Sequence, residues 1–311
     1  MEHFLIDTDT ASDDAVALIM ALNNKNIQVE AITVVAGNVP LDFAVQNALY
    51  TVELCGASVP VYVGVAKPLL RPLETAQFVH GHDGLGDIGL PLKGRTPTPG
   101  HAVTALIETI NRRPGEITLV TLGPLTNVAL ALQLDPSIAT KVKRCVMMGG
   151  IGYGYGNMTP AAEFNIWVDP EAAKIVFESG MFIEMVGWDM SYQYAAFNRE
   201  DAAALRAIGT PLAHFCVDIQ SVLNEYALSE TKLVGFDLPD PLAMAVAIDS
   251  SIATKSADLY VEIETKSELC RGQTVVDHLG VTKRKANTKV ISAVDHDGFM
   301  RLLFDAVRSS A

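Results

Sequence analysis

Positive charge is scarce in this chain: Lys and Arg number 23 against 36 Asp and Glu, a formal net charge of -13. That balance disfavours a nucleic-acid backbone or an anionic membrane surface as partner, and leaves a small neutral molecule open. Cysteine is equally sparse. Cys55, Cys145, Cys216 and Cys270 lie far apart with no Cys-x-x-Cys spacing, which argues against a thiolate zinc cluster or a dithiol redox motif. Buried free thiols in a reducing cytosol are expected. No apolar run reaches membrane-spanning length, and the chain does not start with a basic segment, an apolar stretch and a small-residue cleavage site. No export signal is readable, so a cytoplasmic location is the expectation. Repeats, low-complexity tracts and convincing linkers are also missing, and residues 1–311 read as one compact domain.

Against these absences stands one dense feature. Phe4-Leu5-Ile6-Asp7-Thr8-Asp9-Thr10-Ala11-Ser12-Asp13-Asp14 places four carboxylates between an apolar run with the pattern of a buried strand and a second apolar segment, Ala15 to Leu22, of helical length. Ser12 is placed to cap the helix, with Asp13 and Asp14 in its first turn. A helix dipole can hold one or two of these acids. Four in one tight turn repel unless a hard cation, Ca²⁺ or Mg²⁺, neutralises them. The bland alternative is a solvated acidic turn.

Strands at Val29 to Val35, Val59 to Val65, Glu116 to Thr121, Arg144 to Met148 and Phe182 to Val186 alternate with helices at Leu41 to Leu54, His101 to Arg112, one opened by Leu122-Gly123-Pro124-Leu125-Thr126-Asn127, and Pro170 to Ser179. This order predicts an α/β domain with a largely parallel sheet flanked by helices. Residues from about 198 to 248 turn helical and read as an insertion over the sheet. Strands return at Ala257 to Glu264, Gly272 to Leu279 and Lys289 to Val294 before a closing helix, Gly298 to Arg308. In such sheets the ligand lies outside the carboxyl ends of the strands, and Asp9, Asn38, Leu122, Met148 and Asp189 fall there. Asn38 and Asp189 could equally be turn formers.

Asp240, between two prolines at a helix start, is a candidate fifth acid for the cation or else an N-cap. The loop Gly156 to Asn165 carries Asn157, Glu163 and Asn165, a mixed donor and acceptor lining suited to sugar hydroxyls rather than phosphate; it could also simply tie itself down. His80 and His82 share a polar loop without zinc-type spacing. Trp188, Tyr153, Tyr155, Tyr192 and Tyr226 could stack on a planar group, or pack as rim and core.

Asp7-Thr8-Asp9, Asp13-Asp14-Ala15, Asn38, Gly123-Pro124-Leu125-Thr126-Asn127, Met148-Gly149-Gly150, Glu163-Phe164-Asn165 and Asp240-Pro241, in this order across nearly the whole chain, resemble the inosine-uridine-preferring nucleoside hydrolase family. The resemblance implies a single Rossmann-like domain, a bound Ca²⁺, a homodimer or homotetramer, and hydrolysis of the N-glycosidic bond of purine or pyrimidine ribonucleosides. Carried over by position, Asp9 looks like the general base beside the metal. Asp9, Asp14, Asp240 and the Leu122 carbonyl are similar to the metal-binding set, with Asp7 supporting from behind. Asp13, Asn157, Glu163 and Asn165 match ribose-binding residues, with Asn38 and Met148 lining the same pocket. His80 matches a loop histidine near the nucleobase.

Two departures stand out. Thr10-Ala11 replaces the family's common Pro-Gly without removing a ligand. Pro239 stands where purine- and uridine-cleaving members commonly carry a His that protonates the departing base. A proline cannot donate, so His80, His82, Tyr226, a water or an aromatic stack must help the leaving group. Two rival readings remain on sequence alone: a Mg²⁺ phosphohydrolase of haloacid-dehalogenase type, suggested by Asp7-Thr8-Asp9-Thr10-Ala11, and a noncatalytic Ca²⁺-dependent sugar- or nucleoside-binding protein. The first lacks a convincing companion Lys for its late pair, Asp295 and Asp297.

Overall fold

A computed structural model describes residues 1–308. The strands run β1 Glu2–Thr8, β2 Ile27–Val34, β3 Val61–Val63, β4 Thr98–His101, β5 Ile117–Thr121, β6 Arg144–Met148, β7 Ile183–Val186, β8 Ala196–Phe197, β9 Phe236–Asp237, β10 Ala253–Leu259, β11 Val261–Ile263, β12 Thr274–Val276 and β13 Thr288–Val294. Nine of them form one sheet in the order β10-β13-β7-β6-β5-β1-β2-β3-β4, in which only β10 runs antiparallel to its neighbour. β1 is central because its apolar residues are covered on both faces, as parallel strands require. One cluster buries Phe4 and Ile6 with the helices Ser12–Leu22 and Pro239–Ile248; the other buries Leu5 with Ala102–Arg112, Thr126–Leu134 and Pro170–Glu178.

Register positions the functional rim. Asp7 pairs with Thr33 on β2 and with Thr121 on β5, so the turns after these strands open on the same edge. The region read as helical insertion holds the helices Arg199–Arg206, Pro211–Asp218 and Ser221–Tyr226 and a π-turn, Ala227–Thr231. Arg144 on β6 pairs with Glu184 at 2.8 Å and donates to the carbonyls of Val246 and Ala247 at 3.3 and 3.1 Å. A cation at these last-turn carbonyls fixes the far end of the helix Pro239–Ile248. Among the described residues no helix is long and apolar enough to cross a membrane.

Several local expectations shift. Ser12 is not the cap: Ala11 takes that position, and the Asp14 carboxylate reaches back to accept the Ala11 N–H at 2.9 Å. Thr98–His101 forms an edge strand concealed by Pro99 and Gly100, a composition tolerated at a sheet edge. The strand expected over Ala257 to Glu264 breaks at Tyr260, and its halves join different sheets. Phe164–Val168 is a helix of one turn and a half, too short to show a hydrophobic period.

Candidate active site

β1 delivers Asp7 and Asp9 to the sheet edge, and the helix that follows delivers Asp13 and Asp14; all four are buried. Asp7 lies deepest. Its Oδ2 accepts from Thr33 Oγ1 at 2.6 Å and Asn127 Nδ2 at 2.9 Å. Asp9 is held between two backbones: a Cβ on Gly37 would lie 2.1 Å from its Oδ2, and one on Gly123 2.6 Å from its Oδ1. Only glycine permits that approach. The Asn38 N–H donates to Asp9 Oδ2 at 2.6 Å, while Asp9 Oδ1 and Asp13 Oδ1 are buried without a hydrogen-bond partner. Asp14 accepts from Thr8 Oγ1 at 2.5 Å and from the Ala11 N–H.

Asp240 comes from the opposite side, on the first turn of its helix. One carboxylate oxygen from each of Asp13, Asp14 and Asp240 falls within 4.8 Å of the others. Burial raises the carboxyls of Asp7 and Asp13 to about 7 and of Asp14 to about 6, the last helped by the charge of Asp13. Burial and then Asp14 and Asp13 hold Asp9 and Asp240 well above the ordinary carboxylate range. Buried anions without partners are costly, and three buried carboxylates close together are what a hard divalent cation satisfies. The cluster therefore fits a metal ion.

A cavity opens beside the cluster, lined at one end by Asp13, Asn38, Leu122, Met148, Asn157, Glu163, Asn165 and Asp240. Glu163 caps the helix Phe164–Val168, taking the N–H groups of Asn165 at 2.8 Å, Ile166 at 3.3 Å and Gly150 at 2.8 Å; burial nonetheless raises its carboxyl to about 7. Asn165 Nδ2 donates to the Leu122 carbonyl at 2.8 Å. Asn157 Oδ1 accepts the Phe164 N–H at 3.0 Å, so these loop residues tie down the backbone and face the cavity at once. His80 lines the wall with Nδ1 at 2.9 Å from Ser12 Oγ, and burial lowers its pKa to about 4.

Phe78, Trp188, Leu223 and Tyr226 make the other end apolar. Of the aromatic candidates, Tyr155 and Tyr192 stack on one another and Tyr153 on His278, so only Trp188 and Tyr226 line the cavity. His82 sits outside it, edge-on to Phe43. Asp189 is a loop tie that accepts the N–H groups of Gly152 and Tyr153, both at 2.9 Å. One cavity acid escaped sequence reasoning. Asp237 is buried and accepts from Trp188 Nε1 at 2.9 Å and Ser191 Oγ at 2.8 Å. Its only signal was an acid inside the apolar run Phe236 to Leu238.

No Lys or Arg lines the cavity among the described residues, so a phosphate would find no basic side chain there. A parallel α/β sheet carrying a carboxylate cluster and hydroxyl-reading amides at its carboxyl edge defines an enzyme that acts on a neutral sugar compound. More narrowly, residues 4–301 match the profile of the inosine-uridine preferring nucleoside hydrolases, and the chain belongs to that family, which hydrolyses the N-glycosidic bond of nucleosides. It is 40% identical over 306 residues to the pyrimidine-specific ribonucleoside hydrolase RihA of Salmonella schwarzengrund (strain CVM19633), covering 98% of this chain and 97% of that protein. With the pyrimidine-specific ribonucleoside hydrolase RihB of Escherichia coli (strain SE11) it shares 38% identity over 305 residues, 98% and 96% of the two chains. The solved plant nucleoside hydrolase PpNRh1 superposes with a TM-score of 0.92 at 33% identity, covering 99% of each chain.

Proposed function

We propose that this enzyme cleaves pyrimidine ribonucleosides, uridine and cytidine ahead of inosine, with Ca²⁺ as its cofactor. Two relatives at 38% and 40% identity, each named pyrimidine-specific, support the base preference. The cation reading is carried by one observation: the buried carboxylates of Asp13, Asp14 and Asp240 within 4.8 Å, beside the orphaned Asp9 and Asp13 oxygens. Asp9, Asp14, Asp240 and the Leu122 carbonyl would hold the ion, with Asp13 in reach of it. When bound, a hard divalent cation lowers the pKa of water in its shell.

The chain's own groups divide the remaining work. Asp9 Oδ1, free of any hydrogen bond while Oδ2 is anchored by Asn38, takes the proton from the attacking water. Asp13, Glu163 and Asn165 hold the ribose hydroxyls, with Asn38, Met148 and Asn157 closing the pocket around the ring. As the glycosidic bond breaks, positive charge grows on the ribose, and the surrounding carboxylates and amide oxygens stabilise it. The base lies towards Phe78, Trp188 and Tyr226. His80 offers it a hydrogen bond, since Pro239 cannot.

A reducing-sugar assay over ribonucleosides, 2′-deoxynucleosides and nucleotides, with calcium or chelator, tests this reading. Ribose release from uridine that chelator abolishes and calcium restores is expected, with weak 2′-deoxy turnover. Full activity under chelator removes the cation from the account, and equal 2′-deoxy turnover removes the hydroxyl-reading roles.

A further inference from the structure

Ser12 contributes neither a cap to its helix nor a carboxylate to the cluster, yet it is fully buried with its hydroxyl 2.9 Å from His80 Nδ1. We propose that Ser12 is a positioning residue that fixes His80 in the Nε2–H tautomer, so that the ring presents one hydrogen-bond donor to the departing base where Pro239 offers none. This rests on the nucleoside-hydrolysis reading.

A hydroxyl carries one hydrogen and needs one acceptor when buried. Among the described residues Nδ1 is the only hydrogen-bond partner of Ser12 Oγ, so the serine proton is directed at Nδ1 and the ring proton must sit on Nε2. The opposite assignment has Nδ1–H donating to Oγ. It strands a buried hydroxyl hydrogen and leaves Nε2 with a bare lone pair and no hydrogen to offer. Asp13 Oδ1 lies 3.8 Å from Nδ1, beyond hydrogen-bond range, and does not compete with a partner at 2.9 Å.

Both members of the pair are held from elsewhere. Gln220 Nε2 donates to the Ser12 carbonyl at 3.0 Å. The His80 N–H bonds the Ala76 carbonyl at 3.1 Å, and the His80 carbonyl accepts the Gly86 N–H at 2.9 Å. A ring with one hydrogen must place it on one nitrogen, and the serine decides which.

The test uses calcium-loaded protein labelled with ¹⁵N-histidine, with the His80 signals identified by their loss in His80→Gln. Long-range ¹H–¹⁵N spectra should show unprotonated Nδ1 and protonated Nε2 in the wild type and in Ser12→Thr, and a tautomer mixture in Ser12→Ala. Ser12→Ala should lose about tenfold or more in kcat on uridine with a smaller change in KM, and Ser12→Thr should recover most of it. The loss should be smaller on 4-nitrophenyl riboside, whose leaving group departs without a proton. A wild-type ring protonated at Nδ1 overturns the proposal, as does an unchanged tautomer in Ser12→Ala or an equal loss on both substrates. If Ser12→Ala does not fold, the wild-type spectrum alone decides. A wild-type enzyme that cleaves neither substrate would instead overturn the hydrolase reading.

Discussion

The two ends of the cavity are built on different plans. The acid end is made largely of turns at the ends of β1, β2, β5 and β6, strands locked in register, with Asp240 added from a helix, and its Asp9 carboxylate is pressed between two glycine backbones. The apolar end is assembled from helices and loops that hang over the sheet, Phe78 to His80, Trp188, Leu223 to Thr231 and Asp237. Charged chemistry tolerates little displacement and sits on the rigid frame, whereas the proposed base contacts fall on segments that can vary without disturbing it.

That division can be broken most sharply at Asp9. Asp9→Asn should lower turnover by roughly 10²–10⁴-fold while calorimetry still records calcium uptake. Loss of uptake would make Asp9 a ligand first and a base second. Gly37→Ala comes next: its methyl group would collide with the Asp9 carboxylate, and urea unfolding should show a cost of about 1–3 kcal/mol along with lost turnover. Wild-type stability in Gly37→Ala would mean that the frame yields more than the close approach implies.

Acidity separates the two ends in a further way. Asp7, Asp13 and Glu163 have folded values of about 7 and Asp14 of about 6, above the roughly 4 of an unfolded carboxylate. Through this window the folded chain binds more protons than the unfolded one, so their contribution is fully present below the unfolded pKa and is lost as pH rises through the folded values. In the proposed reading, bound calcium would replace those protons. The gap in melting temperature between calcium-loaded and chelated protein should therefore widen from pH 5 to pH 8; a constant gap would place the ion elsewhere. The smallest effect is expected at the apolar end. Trp188→Phe removes the donor to Asp237 and should shift KM and the ranking of bases a few-fold, with calcium uptake intact.

What the sequence disclosed follows the same line. Asp7, Asp9, Asp13 and Asp14 fall within eight consecutive residues, and the strand and helix around them follow from local pattern, so the acid turn was legible. Asp240 was legible only as a choice between ligand and cap. Asp237 was not, because its place depends on β8 pairing with β9 and on a helix starting at Trp188. Ser12 was misread because a local rule, serine before a helix, competed with a partner 68 residues away. Tyr153 and Tyr155 look in sequence just like Trp188, and only the course of the glycine-rich loop separates them.

The clamp by Arg144 has a consequence for the ion. Asp240 rides on one end of a ten-residue helix whose other end, roughly 15 Å away, is gripped by that guanidinium. The helix behaves as a rod set from its tail, so the reach of Asp240 towards Asp13 and Asp14 is adjusted from the far side of the molecule. Drift at Arg144 or Glu184, residues that touch neither sugar nor base, would emerge as a changed appetite for calcium.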